Sequence, residues 1–114
     1  MEVPEREVES YVRPDGTCPF TEWLDSLQDR QAKARIRTRI NRVRLGNLGD
    51  CRSVGGGVLE LKIDYGPGYR VYCGQVGNKL VILLCGGDKS SQTDDIRIAI
   101  EYWEDYKKVG VNDG

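Results

Sequence analysis

Basic residues near the ends of two predicted strands could hold a phosphate. Arg70 follows a Gly-Pro-Gly turn, and its planar guanidinium suits a pair of phosphate oxygens. Lys89 follows the apolar run "KLVILLC" and the pair Gly86 and Gly87, just before a predicted helix. Glycines let the backbone approach a ligand closely, and a helix N-terminus offers free N–H groups to an anion. These positions predict a phosphate site made by a cation and backbone N–H groups.

Further ionisable residues lie on the strand that precedes this turn. In "VLELKID" the apolar residues alternate with Glu60, Lys62 and Asp64, so one face should be buried and the other should display charges. These side chains could instead form the exposed face of an ordinary sheet, with Glu60 or Asp64 paired to Arg70 across strands. The Asp-Lys pair at 88–89 could likewise be only a polar loop with a helix cap.

The residue types that the chain lacks exclude several kinds of catalytic and metal-binding site. The chain has no histidine, so Ser-His-Asp and Cys-His sites are excluded, and proton transfer must use Glu, Asp, Lys, Tyr or Arg. The four cysteines have no C-x-x-C spacing, which argues against a zinc site, and we expect free, mostly buried thiols. No metal and no cofactor are predicted. The cysteines are Cys18, Cys51, Cys73 and Cys85.

Charge is segregated along the chain, although the net charge is only −1. Residues 30–52 contain eight cations and one acid, whereas the first 29 residues contain eight acids and two cations. One face of the molecule could therefore attract a polyanion, although an arginine-rich helix can also be an ordinary solvated surface. The eight cations are Arg30, Lys33, Arg35, Arg37, Arg39, Arg42, Arg44 and Arg52.

The hydrophobic pattern predicts a single α+β domain over residues 1–114. We expect a small, mainly antiparallel sheet of four to five strands, with the two N-terminal helices packed on one sheet face and a C-terminal helix closing the domain. The core should cover about residues 7–107, and 108–114 should be a flexible tail. Predicted strands cover 7–14, 58–64, 69–76 and 79–85, and predicted helices cover about 20–28, 30–46 and 91–107.

Turn and cap residues separate these elements. Gly46 is predicted to end the second helix, and the Pro-Gly pair at 67–68 suits the centre of a type II turn. The sequence Gly77–Asn78 predicts a two-residue hairpin loop. Ser91 lies three residues before Asp94, which predicts a capping box at the last helix.

The sequence gives no sign of a membrane segment or signal peptide. The longest apolar run is Leu80 to Cys85, and the acidic N-terminus lacks the basic and apolar regions of a signal peptide. We therefore expect a cytoplasmic protein with no membrane partner.

Three stretches carry a family resemblance over about residues 7–107. These are "PFTEWLDSL", "VGGGVLELKIDYGPGYRVY" and "LLCGGDKSSQTDDI". Together they resemble the RelE/ParE superfamily of toxins from type II toxin–antitoxin systems, and specifically its addiction module killer protein branch. The resemblance implies a RelE-like fold and a small ribonuclease that cuts mRNA, usually in the ribosomal A site, and is inhibited by a cognate antitoxin.

The resemblance also implies roles for residues at matching motif positions. Lys62 matches a lysine on a strand of the family. Arg70 matches the arginine that follows Gly-Tyr, and Lys89 matches a basic residue at the end of the last strand. Cleavage by the 2′-OH needs a proton acceptor, charge stabilisation on the phosphorane and a donor for the 5′-oxygen. Glu60, which stands where some relatives have lysine, or Lys62 would be the acceptor. Arg70 would clamp the phosphate, and Lys89 would stabilise or protonate the leaving oxygen. Residues expected to contact the RNA are Arg52, Gly86, Gly87, Ser90 and Gln92.

Three functions fit this resemblance: an endoribonuclease acting on mRNA at the ribosome, a ParE-like toxin that binds gyrase, and a module that retains only antitoxin binding. A nuclease needs Lys62, Arg70 and Lys89 within reach of one phosphate. An interaction module would instead show these cations closed in pairs with Glu60 or Asp64. The chain could be a homodimer or part of a toxin–antitoxin hetero-oligomer. Its small acidic excess predicts weaker RNA binding than in strongly basic toxins.

Overall fold

The chain folds into one five-stranded sheet with helices on both faces, and the computed structural model describes residues 5–112. The strands are β1 (Glu7–Ser10), β2 (Cys51–Gly55), β3 (Val58–Ile63), β4 (Tyr69–Val76) and β5 (Leu80–Gly87). The helices are α1 (Pro19–Ser26), α2 (Arg30–Arg44) and α3 (Gln92–Asn112), and a 3₁₀ turn at Lys89–Ser91 precedes α3. Across the sheet the order is β1-β5-β4-β3-β2.

The sheet is mixed rather than purely antiparallel. β1 pairs with β5 in parallel, and all other neighbouring strands pair antiparallel. A parallel pair needs a long connection, which here includes α1, α2 and the strands β2 to β4. The predicted α+β class and the upper strand number are confirmed. The sequence pattern did not delimit β2, a short strand whose residues are mostly exposed.

The helices α1 and α2 cover one face of the sheet, and α3 covers the other. Successive strand residues alternate between faces, so β4 directs Val71 and Cys73 to the first core and Tyr72 to the second. The prediction that the two N-terminal helices pack on one sheet face is confirmed, whereas α3 packs on the opposite face and not beside them. The physical reason is that the central strands are apolar on both sides, which leaves a second hydrophobic face for α3 to bury through Ala99 and Trp103.

Two strand glycines set how closely α1 and α3 approach the sheet. A Cβ on Gly86 would lie 2.3 Å from the indole of Trp23 in α1, and a Cβ on Gly74 would lie 2.4 Å from the indole of Trp103 in α3. Both distances are far inside the roughly 3.5–4.0 Å of favourable carbon contact. The two indoles therefore pack directly on strand backbone, and the sheet needs glycine at both positions.

Several element boundaries differ from the predicted ones. β1 ends at Ser10 and α2 ends at Arg44, each earlier than predicted. α3 continues to Asn112, beyond the predicted end at 107, so most of the predicted tail is helical; the first four and last two residues of the chain lie outside the described residues. Within the described range, no helix combines the length and apolar character needed to cross a bilayer.

The end of α2 follows the prediction made from Gly46. This glycine has a φ of 94°, which is a left-handed conformation that glycine adopts without strain. The N–H of Asn47 donates to the carbonyl of Arg42 at 2.8 Å, and the N–H of Gly46 donates to the carbonyl of Val43 at 2.9 Å. This pair of bonds is a Schellman motif, which satisfies carbonyls that the helix end would leave free.

The two hairpin turns differ in register from the predictions. Before β4, the N–H of Gly68 donates to the carbonyl of Tyr65 at 3.1 Å, so the residues at 66–67 form the turn centre, one position earlier than predicted. After β4, Val76 pairs with Leu80, so the loop contains three residues instead of two. In both places glycines with positive φ permit the turn. The Pro-Gly and Gly-Asn pairs therefore predicted that a turn is present but not which residues lie at its centre.

Candidate functional site

A polar groove lies where β2, β3 and β4 meet the start of α3. It encloses about 280 Å³, and we call it the Glu60 groove. Five of the nine residues predicted for the site line it, whereas Gly86, Gly87, Lys89 and Ser90 do not. Its lining residues are Asp50, Cys51, Arg52, Glu60, Lys62, Arg70 and Gln92.

Strand register brings the polar side chains of this groove together. Arg52 on β2 pairs with Glu60 on β3, and Glu60 pairs with Tyr72 on β4. Two residues further along β3, Lys62 pairs with Arg70. Because side chains two residues apart share a face, all five positions lie on the face covered by α3. The sequence prediction that Lys62 and Arg70 share a face with Glu60 is therefore confirmed.

Glu60 is the buried centre of the groove and not an exposed charge as the strand pattern predicted. Only 4% of the residue is exposed. Its carboxylate accepts hydrogen bonds from Arg52 Nε at 2.9 Å, Tyr72 Oη at 3.0 Å and Gln92 Nε2 at 2.8 Å. Gln92 comes from α3, so the docking of that helix buries Glu60 and supplies one of its donors.

The protonation of Glu60 follows from these contacts. Burial alone would raise the pKa of the carboxyl group, but the hydrogen bonds from Arg52, Gln92 and Tyr72 outweigh that effect and lower the pKa below its usual value. Burial and the neighbouring carboxylate raise the pKa of Tyr72, which keeps its hydroxyl protonated as a donor. An ionised carboxylate with three donors is a weak proton acceptor, so the geometry does not favour Glu60 as general base.

Arg70 is held in the groove by two oxygen groups. It is 8% exposed, and its Nη1 donates to the carbonyl of Gly68 at 2.7 Å. Its Nε lies 3.8 Å from a carboxylate oxygen of Glu60, which is an ion-pair distance but too long for a hydrogen bond. Pairing of Arg70 with Glu60 was one of the alternatives, and it is observed. Asp64, the other carboxylate considered, lines a neighbouring groove.

The two lysines occupy different positions relative to this groove. Lys62 lines the groove and is exposed, and among residues 5–112 no carboxylate lies within 4.0 Å of its ammonium group. Lys89 is exposed in the 3₁₀ turn and does not line the groove. A Cβ on Gly68 would be 3.2 Å from Arg70 Nη1 and 4.0 Å from the Cβ of Lys89, so both residues lie near Gly68.

The glycine pair at the end of β5 has a packing role that the sequence prediction did not include. Gly86 faces α1 under Trp23, which is the side of the sheet opposite to the groove. A Cβ on Gly87 would lie 1.8 Å from Asp95 Oδ2 and 2.9 Å from Ser91 Oγ. The predicted close approach of a phosphate to these glycines is therefore not supported, because side chains of the protein occupy that space.

The N–H groups before α3 are also occupied. Ser90 N–H donates to Asp88 Oδ1 at 2.8 Å, and Ser91 N–H donates to the Asp88 carbonyl at 3.3 Å. Ser91 Oγ donates to Asp95 at 2.5 Å, so the predicted capping box with Asp94 is replaced by this contact. These bonds match the alternative of a polar loop with a helix cap, and they do not support the predicted anion site at the helix start.

Sequence reasoning missed two residues near the groove. Tyr72 is not among the predicted site residues, yet its hydroxyl donates to Glu60; the cross-strand pairing of these two positions was the available signal. Asp95 lies against Gly87, the strand partner of Arg70. Burial, followed by the charges of nearby carboxylates, raises the pKa of Asp95 although the hydrogen bond from Ser91 opposes the shift. Acidic residues are common in the first turn of a helix, so the sequence offered no reason to expect that Asp95 would be partly buried near the groove.

The groove as a whole favours an anion. Three cations, Arg52, Lys62 and Arg70, line it together with two carboxylates, Glu60 and Asp50. Glu60 orients the arginines, and an anion could bind the donors that remain. Within the described residues, no group of three histidine, cysteine or acidic side chains is arranged to hold a metal ion.

Comparison with known proteins gives one clear relative. No protein-family model and no solved structure matches the chain. An uncharacterized protein from Haemophilus influenzae is 53% identical over 83 residues, which cover 73% of this chain and 84% of that protein. Identity at this level over most of both chains shows common descent. The chain therefore belongs to the same family as this Haemophilus influenzae protein.

Proposed function

We propose that the protein is the toxin of a bacterial type II toxin–antitoxin system and a member of the RelE/ParE superfamily, in its addiction module killer protein branch. In this proposal it is a cytoplasmic endoribonuclease that cuts mRNA at the ribosome, without a metal, and is inhibited by a cognate antitoxin. The main support is the Glu60 groove, in which Lys62 and Arg70 are direct cross-strand neighbours and Arg52 lies on the next strand.

Arg70 is the proposed phosphate clamp. Its Nη1 is bound to Gly68, and its Nη2 makes no hydrogen bond to the described residues, so donors remain for a phosphate oxygen. The hydrogen bond to Gly68 and the ion pair with Glu60 fix the guanidinium before substrate binds. Less reorganisation of the side chain is then needed on binding. Charge on the phosphorane would then be stabilised by Arg70, with Arg52 at the exposed edge of the same groove.

Lys62 and Lys89 are the proposed proton-transfer residues. Attack forms the bond from the 2′-oxygen to phosphorus and breaks the bond to the 5′-oxygen, which gives a 2′,3′-cyclic phosphate and a 5′-hydroxyl. Lys62 takes the proton of the 2′-OH, and Lys89 gives a proton to the 5′-oxygen. Glu60 is reassigned from proton acceptor to positioning residue, because its lone pairs are used by Arg52, Tyr72 and Gln92.

The fold supports the same proposal at a coarser level. A five-stranded sheet with two N-terminal helices on one face and a C-terminal helix is compatible with a RelE-like arrangement. A shared fold does not decide between toxins that cut RNA and toxins that bind gyrase. The proposal therefore depends on the groove and not on the fold.

One observation favours a second function, that of a module that binds only an antitoxin. Glu60 forms ion pairs with Arg52 and Arg70, which are two of the three cations in the groove. Such pairing reduces the positive charge offered to a phosphate. Lys62 stays without a carboxylate partner in residues 5–112, and this difference leads us to prefer the nuclease.

Expression of the chain alone in bacteria tests this proposal. We expect growth arrest, and primer extension on a reporter transcript should show cuts inside translated codons. Lys62→Ala should remove both effects, whereas Arg37→Ala, which removes an exposed cation of α2 outside the groove, should retain them. Growth arrest with intact transcripts would indicate a gyrase-binding toxin, and absence of both effects in the wild-type chain would indicate a binding module.

A further inference from the structure

A second basic groove adjoins the Glu60 groove, between α2 and the edge of β3. It encloses about 380 Å³, and we call it the α2–β3 groove. Four cations and two carboxylates line it, with Thr38 and Asn47 as neutral polar groups. The charged residues are Arg35, Arg39, Arg42, Lys62, Asp50 and Asp64.

Arg39 is the unusual residue of this groove. It is 7% exposed, and it donates to three carbonyls: Nε to Lys62 at 3.4 Å, and Nη2 to Asp50 at 2.9 Å and to Leu48. Its Nη1 is buried and has no hydrogen-bond partner among the described residues. Burial lowers the pKa of Arg39, although the nearby Cys51 and Asp50 oppose the shift. A buried cation with an unused donor is costly unless an anion compensates it.

The α2–β3 groove is continuous with the Glu60 groove. Asp50 and Lys62 line both, so an extended ligand bound at Lys62 can pass from one groove into the other. Arg35 and Arg42 are exposed on the α2 side of the path, while Arg39 is buried beneath it. Cations spaced along a path suit a ligand whose negative charges also repeat, as those of a nucleic-acid backbone do.

We propose that the α2–β3 groove binds RNA phosphates that flank the cleaved bond, so that the strand runs from the Glu60 groove along α2. This inference depends on the proposed function, since it extends the same substrate path. An acidic protein segment has similar charges, but the observations favour RNA because the groove shares Asp50 and Lys62 with the site proposed for cleavage.

Binding of RNA oligonucleotides of different length tests this inference. Fluorescent 2′-O-methyl RNA, which lacks the attacking hydroxyl, is titrated as a dinucleotide and as an octanucleotide against wild type and Arg35→Ala/Arg42→Ala. The wild type should gain affinity with length, and the variant should lose most of that gain, about tenfold. Each single-strand phosphate contact contributes about −0.7 to the slope of log K against log salt. Loss of two such contacts should therefore make the slope less steep by about 1.4.

The matched control is Arg37→Ala/Arg44→Ala. These arginines have the same seven-residue spacing on α2 and are exposed, but they do not line the groove. The control removes the same charge and should bind RNA as wild type does. Because Arg35 lies 4.7 Å over the ring of Tyr65, Arg42→Ala alone is also measured, with melting temperatures for every variant.

Three results would overturn the inference in distinguishable ways. If wild type binds and cleaves RNA but the two double variants lose affinity equally, the groove inference fails and the proposed function stands. If wild type neither binds nor cleaves RNA, the proposed function fails, and the groove inference fails with it. If a labelled octaglutamate peptide binds more tightly than RNA and only its binding depends on Arg35 and Arg42, the groove serves an acidic protein segment instead.

Discussion

At the scale of single residues, Glu60 determines how the polar side chains of the groove are arranged. Its burial places a negative charge among Arg52, Arg70, Tyr72 and Gln92, and its low pKa keeps that charge at neutral pH. The carboxylate therefore orients donors instead of accepting a proton. This role explains why a chain with a small acidic excess can still present an ordered cationic groove.

Glu60→Gln should destabilise the protein at neutral pH by about 1–3 kcal/mol, because a neutral amide replaces a buried charge that accepts three hydrogen bonds. Since the folded pKa is below the unfolded one, this stabilisation is complete above the unfolded pKa and is lost as the pH falls through the folded value. Urea unfolding at pH 7 and pH 3 measures the difference, which should shrink at pH 3. Glu101→Gln on exposed α3 surface should have little effect at either pH.

The alternation of β3 made some of this site predictable. It correctly placed Glu60 and Lys62 on one face, because side chains two residues apart must point the same way, and Arg70 on β4 shares that face as the cross-strand partner of Lys62. It could not predict that this face would be buried. Gln92, which is 32 residues away from Glu60 in the chain, contacts it only when α3 packs on the sheet. The alternation of residues within one strand cannot predict a contact with a distant helix.

At the scale of elements, the sheet positions both flanking helices through glycines. Hydrophobic periodicity predicted α1 and α3 as helices, and both are confirmed. Trp103 is buried in the second core, whereas Trp23 is partly buried and packs against the first core. The face on which α3 packs did not follow from that pattern, since β4 and β5 are apolar on both sides. The packing reason for Gly86 was also missed, because a glycine near a basic residue suggests a ligand site as readily as a helix contact.

Gly86→Ala should destabilise the protein by about 1–3 kcal/mol, since the new methyl group overlaps the indole of Trp23 and α1 must shift. Thermal unfolding followed by circular dichroism measures this change. In a Trp23→Leu background the same substitution should cost less, because the overlapping ring is gone. Equal costs in the two backgrounds would show that Gly86 matters for another reason, such as approach of a ligand.

At the scale of the whole molecule, two hydrophobic cores hold the fold together, and its cysteines form no disulfide. All four cysteines are free, as predicted, although Cys18 and Cys51 are partly exposed. Burial raises the pKa of Cys73 and of Cys85 to about 12. Their thiols are therefore protonated and shielded at neutral pH.

Ellman's reagent at pH 8 should react quickly with two thiols of the native protein, Cys18 and Cys51. Cys73 and Cys85 should react only after unfolding in guanidinium, because both are buried and protonated. The unfolded protein should show all four thiols without reductant, and reductant should leave the melting temperature unchanged. Fewer than four thiols in the unfolded protein would reveal a disulfide and contradict this description.

The central claim is that the Glu60 groove cleaves RNA with Arg70 as the phosphate clamp, and the rate of RNA cleavage by Arg70→Ala tests it most directly. Single-turnover cleavage of a reporter mRNA in a translation extract should fall by roughly 10²–10³, because the lost contact is strongest in the transition state. Arg70→Lys keeps a charge beside Glu60 but cannot reproduce the guanidinium fork, so it should stay folded and restore little activity. Cleavage by folded Arg70→Ala at the wild-type rate would contradict the claim and leave Arg70 as only a structural partner of Glu60.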